Sequence, residues 1–203
     1  APIAFARNEQ AVQELFTPTK TIKNKEAPNA SQLLSSGQYE AAIQVAKIEL
    51  QLGNNEYQNL LIIGDAHRHL NSFDDAVESY LSAIANDKNQ SIGYEKLSLG
   101  YLNLRRIDLA KASLSRAISL NPQSSAIRYK LAIINESQNA NSEAAKLYFQ
   151  AGELAIREKS NDAIYSSLTA LERLSNNEYG LALYNSLLNK AEAYQRQALN
   201  TGT

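Results

Sequence analysis

Asp65 and His69 stand four residues apart, a spacing that puts a carboxylate and an imidazole on one face of a helix. Such a pair can bind a metal or tune the proton affinity of the histidine. A stable metal site needs about three or four ligands, and the chain offers one other histidine and no cysteine. That histidine, His67, lies two residues from His69 and points elsewhere around a helix. It reads as a packed side chain with one hydrogen bond. No metal and no cofactor are therefore expected. Asp74-Asp75 falls at the start of a helical pattern, where negative charge suits the helix dipole, so capping accounts for it. Arg105-Arg106 separates two helical stretches and reads as a solvated turn rather than a phosphate site. No Ser-His-Asp spacing, glycine-rich phosphate loop or His-Glu-x-x-His motif occurs. No catalytic residue is expected, and the chain is read as not an enzyme.

The composition says what kind of framework carries these residues. Three of the four prolines lie in the first 28 of 203 residues, so the remainder is nearly proline-free and suits helix. The absence of cysteine removes disulfides, thiolate nucleophiles and iron–sulfur clusters. A net charge of −1 argues against a nucleic acid or an anionic membrane as a whole-chain partner. Twenty Asn and 13 Gln, both heat-labile, argue against a hyperthermophilic source. No apolar run approaches the roughly 20 residues of a membrane span, so no transmembrane segment is expected. The opening Ala-Pro-Ile-Ala-Phe-Ala suits a chain that follows an export cleavage, and an exported or periplasmic location is expected over a cytoplasmic one.

One period organises the rest. Ala42, Ala76, Ala110 and Ala144 are each 34 residues apart. The same interval separates Ala83, Ala117 and Ala151, and also Tyr80, Leu114 and Tyr148. Within each period the apolar spacing is helical, with polar breaks that divide it into two helices. Gly37, Asn71 and Asn139 sit where the first helix must turn, and Ser72 with Asp75 has the form of a capping box. Small residues recur where helix axes must approach closely, with Tyr or Leu filling the gap beside them.

These residues resemble the tetratricopeptide repeat family. Segment 91–124 supplies its pattern in order with Tyr94, Leu97, Ser98, Tyr101, Ala110, Leu114, Ala117 and Pro122. Segments 57–90 and 125–158 follow with Gly64, Ala76, Tyr80 and Ala83, and with Ala132, Ala144, Tyr148 and Ala151. The resemblance implies an all-α fold, a right-handed α-α superhelix (solenoid) of about five helical hairpins, at about 23–56, 57–90, 91–124, 125–158 and 159–199. The end repeats fit less well. Pro28 shortens the first helix of the first repeat. In the last, an echo of the motif places the anchoring alanine at Ala182, about four residues late. Tyr184, Leu187, Leu188, Ala191, Tyr194 and Ala198 form the apolar stripe of a capping helix. Residues 1–22 form an N-terminal arm and linker, read as a cap or loose tail, or as an arm that docks on its own or another molecule.

The resemblance further implies a concave groove lined by the first helices. From 57–90 it takes Leu61, Ile62, Asp65, Arg68 and His69. From 91–124 come Ile92, Glu95, Lys96, Leu99, Leu102 and Asn103, and from 125–158 come Tyr129, Lys130, Ile133 and Glu136. An apolar strip among mixed charges suits a protein or peptide partner, such as an amphipathic helix. Asp65 would repel the carboxylate that chaperone-binding members grip, so that mode is not expected. Lys96 and Lys130 are offset by Asp65, Glu95 and Glu136, which argues against RNA. The expected role is a noncatalytic interaction scaffold. Alternatives are self-assembly (a homo-oligomer) through the arm or terminal helices, and a noncatalytic subunit or regulator of an enzyme complex.

Overall fold

A computed structural model describes residues 27–201, and the expected 1–22 arm lies outside them. Among the described residues there are ten α-helices and no strand. They form five consecutive hairpins: α1 (Ala30–Ser35) with α2 (Tyr39–Gln51), α3 (Glu56–His69) with α4 (Phe73–Asn86), α5 (Ser91–Asn103) with α6 (Ile107–Leu120), α7 (Ser125–Ser137) with α8 (Asn141–Arg157), and α9 (Asn161–Arg173) with α10 (Glu178–Thr201). Each helix packs on the next along the chain, giving an all-α solenoid. Among the described residues no helix is long and apolar enough to cross a membrane.

The turns inside the first four hairpins obey the 34-residue interval. Gly37, Asn71, Arg105 and Asn139 all take positive φ, between 58° and 79°. Each ends its helix with the six-to-one bond of a Schellman motif, as from the Gln38 N–H to the Leu33 carbonyl (2.9 Å) and from the Arg106 N–H to the Tyr101 carbonyl (2.8 Å). Arg105 is thus the fourth member of the set, an arginine in a backbone region that favours glycine or asparagine.

The expected capping box at Ser72 is not formed. Ser72 precedes α4 but makes no side-chain cap bond; its ψ is 69°, far from the extended backbone that aims an N-cap oxygen at the helix. The capping box occurs instead at Asn29, with ψ 169°, and Gln32, which opens α1 directly after Pro28.

The alanine set Ala42, Ala76, Ala110 and Ala144 is wholly buried, and the rings of Tyr80 and Tyr148 fill the space beside the crossings. Gly64 permits one such approach, because a Cβ there would come within 2.4 Å of the Tyr80 ring.

In the last hairpin the expected anchor is corrected. Ala182 is exposed, while Gly180 is buried so tightly that a Cβ would stand 2.1 Å from the Leu174 carbonyl oxygen. The cause is upstream. α8 has 17 residues where α6 has 14, and the loop after it is one residue shorter, so α9 begins 36 residues after α7 rather than 34. Along α10, Leu187 and Ala191 are buried and Tyr184, Leu188 and Tyr194 partly so, while Asn185, Asn189, Glu192 and Arg196 are exposed.

Candidate partner-binding face

The first helices α3, α5 and α7 carry the candidate residues, and the structure sorts them into three groups. Leu61 and Ile62 belong to the core, at 1% and 4% exposure, and are not available to a partner. Leu61 packs with Ala76, Val77, Tyr80 and Leu97, and Ile62 with Ala30, Leu33, Ala42 and Ala46. The first hairpin leans on α3 and covers the side on which Ile62 was expected to be open.

A second group is accessible and apolar. Ile92 and Ile133 are 40% and 47% exposed, and Leu99, Leu102 and Tyr129 are half-buried. Leu102 contributes its buried part to the core between α6 and α7. Tyr129 tilts onto Tyr148, with ring centroids 5.0 Å apart. Asn103 is exposed at the last residue of α5.

The charged residues form the third group, and all of them except Arg68, whose Nε is buried without a hydrogen-bond partner, are ion-paired across hairpins. Lys96 of α5 reaches back to Asp65 of α3 at 2.5 Å. Lys130 of α7 reaches Glu95 of α5 at 2.6 Å. Arg173 of α9 grips Glu136 of α7 with two bonds, of 2.7 and 2.8 Å. Two of the three acids are also held by a tyrosine of their own hairpin: Tyr80 donates to Asp65 and Tyr148 to Glu136, each at 2.7 Å. The guanidinium of Arg173 holds the Glu136 carboxyl below the usual range, helped by the Tyr148 hydroxyl. Burial, then the neighbouring carboxylate, pushes both phenols well above their ordinary value. The face is therefore charged in composition and largely neutral in effect.

The Asp65–His69 pairing does not form. Both Asp65 oxygens are engaged, one by Tyr80 and one by Lys96. His69 lies flat against Tyr39 (centroids 4.7 Å, planes 1° apart), with Arg68 Nη2 at 3.2 Å from its Nε2. His67 is 4.0 Å from Asp75. Among the described residues no group of three or more metal-ligating side chains comes together.

Tyr80, Tyr148 and Arg173 were absent from the expected face. The tyrosines read as packing residues, yet their hydroxyls emerge among the first helices. Arg173 escaped because the last hairpin is out of the 34-residue register. Two depressions adjoin this framework. A recess of about 240 Å³ lies between α7 and α9, with Ala126, Tyr129 and Ala163 on its walls. A larger cleft of about 850 Å³ lies between the end of α8, the start of α9 and the last turns of α10, where Arg157 and Lys159 mix with Ile156 and Tyr194.

The tetratricopeptide repeat family model matches residues 29–91 and 96–163. No curated protein sequence matches the chain. Among solved structures it is similar to a crystal structure of MamA, with a TM-score of 0.62 and 21% identity over 84% of this chain and 99% of that one. A second MamA crystal structure gives a TM-score of 0.58 at 20% identity, over 85% of this chain and 90% of that one. MamA 41-end from Desulfovibrio magneticus RS-1 gives 0.57 at 20% identity, over 66% and 73%. At such identities the likeness is one of fold.

Proposed function

The chain belongs to the tetratricopeptide repeat family, and from that premise we propose that it is a noncatalytic scaffold holding a peptide or helix of a partner protein along the groove of its first helices. One observation carries this reading. Apart from Arg68, the charges on that face pair across hairpins, and the apolar set Ile92, Leu99, Tyr129 and Ile133 keeps accessible surface. Burying such side chains against a partner supplies roughly 25 cal/mol per Å² before the costs of association.

The test uses the two most exposed members, whose replacement leaves the core untouched. Ile92→Glu with Ile133→Glu should abolish crosslinked capture of partner proteins from the source organism while the circular dichroism spectrum and melting curve stay those of the wild type. Unchanged capture by the double variant overturns the groove reading.

A second reading, self-assembly through the terminal helices or residues 1–22, draws on the apolar surface of the last hairpin. There Tyr165 and Leu199 are 73% and 82% exposed. Mass measurement in solution, with and without residues 1–22, decides it: a species that shrinks on deletion supports assembly, and an unchanged monomer removes it.

A further inference from the structure

We propose that Arg68 is the subsite for one carboxylate side chain, a glutamate or aspartate of the partner segment, at the α3 end of the groove. The proposal rests on the groove reading and specifies one residue of what the groove holds.

Charge selects the site. Lys96, Lys130 and Arg173 each have an acid from a neighbouring hairpin. Arg68 has no ion pair among the described residues. Asp65, one turn earlier on α3, cannot serve it, because Tyr80 and Lys96 already occupy both of its oxygens. The paired face is left with one positive charge in excess, and that charge sits at Arg68.

The guanidinium is also short of acceptors. Its Nη2 lies 3.2 Å from His69 Nε2. The Tyr80 hydroxyl stands beside it, but that hydroxyl is turned to donate to Asp65. Its Nε is buried and has no hydrogen-bond partner. A half-buried cation held in this way has lost hydration without gaining a counter-charge. The planar N–H groups of arginine match the two oxygens of a carboxylate, and such bonds are shorter and stronger than neutral ones. A lysine of the partner would be repelled here, and a neutral amide would be a weaker acceptor.

Position makes the carboxylate a side chain rather than a chain end. Arg68 stands in the last turn of α3, which packs against α5 on one side and the first hairpin on the other. α5 carries Ile92 and Leu99. On the opposite side Tyr39 of α2 stacks flat against His69 and continues the face beyond Arg68. A segment crossing the first helices therefore passes over Arg68 and does not stop at it.

Amide NMR on the full chain, at fixed ionic strength, tests this with three acetylated pentapeptides. They are Ala-Ala-Glu-Ala-Ala amide, Ala-Ala-Gln-Ala-Ala amide, and the glutamine peptide with a free C-terminal carboxylate. The glutamate peptide should shift the amides of Arg68 and His69 with an affinity roughly three- to fivefold above that of the other two. Arg68→Gln should remove that preference. Equal responses from the three peptides, a stronger response from the free carboxyl end, or a preference that survives in Arg68→Gln overturns the subsite. The peptide comparison on the wild-type chain stands without the variant. Its failure leaves the groove reading standing, because that reading is decided by Ile92→Glu with Ile133→Glu. If deletion of residues 1–22 by itself shifts the Arg68 and His69 amides, the occupant is Glu9 or Glu14 of this chain's own arm, and the partner subsite is overturned.

Discussion

The junction of the second and third hairpins and that of the fourth and fifth are built alike, and the junction between them is built differently. At the outer two, an acid on a first helix is held from behind by a tyrosine of its own hairpin and from in front by a base of the next. In the middle, Leu114 occupies the place of Tyr80 and Tyr148, and Glu95 has Lys130 alone. The difference separates two jobs that tyrosine does at once. Its ring fills the space between helices, which leucine also does. Its hydroxyl reaches the face of the first helices and orients a carboxylate, which leucine cannot do.

The largest effect is expected on packing, where the two kinds of junction should agree. Tyr148→Ala should cost about 3–5 kcal/mol and Leu114→Ala about 2–5 kcal/mol in urea denaturation, because both side chains are fully buried. A mild Leu114→Ala would mean that the middle junction is already loose.

The junctions should part company with pH. The depressed Glu136 pKa means that its stabilisation is present above the ordinary glutamate value of about 4.3 and is lost as pH falls through the lower folded-state value. Arg173→Gln should therefore cost roughly 1 kcal/mol at neutral pH, kept small because Arg173 is half exposed. It should also flatten the acid limb of a plot of unfolding midpoint against pH. Parallel acid limbs for wild type and variant would remove the role assigned to this pair.

The smallest effect belongs to the middle junction. Lys130 is 42% exposed and its acid lacks a tyrosine, so Lys130→Gln should change stability by no more than about 0.5 kcal/mol. A loss as large as that of Arg173→Gln would show that the hydroxyl adds nothing to the outer junctions.

Much of the architecture was legible because it depends on local geometry. Gly37, Asn71 and Asn139 announced the turns, since a helix end with positive φ favours those residue types. The recurring alanines announced the helix crossings. Ser72 misled because the tight turn rotates its backbone away from capping geometry. Ala182 misled because three extra residues in α8, less one in the following loop, reset the register while leaving the motif-like phrase intact.

The candidate face was legible in outline, with two of its apolar members misplaced. Ile92, Leu99, Tyr129 and Ile133 do retain accessible surface, whereas Leu61 and Ile62 are buried, Leu61 against Ala76, Tyr80 and Leu97 and Ile62 against the first hairpin. The cancellation of charge was visible as a sum. The pairing was not, because its partners are separated by 31, 35 and 37 residues and follow no single interval.

The sequence by itself determined the hairpin, its period and the places where helices touch, since each follows from helix geometry acting within a few turns of chain. Which residues of the first helices stay exposed was settled by the packing of one hairpin on the next. Long charged side chains reach across to whichever opposite charge the packing brings near, and an apolar residue stays exposed only where no neighbouring hairpin arrives to cover it.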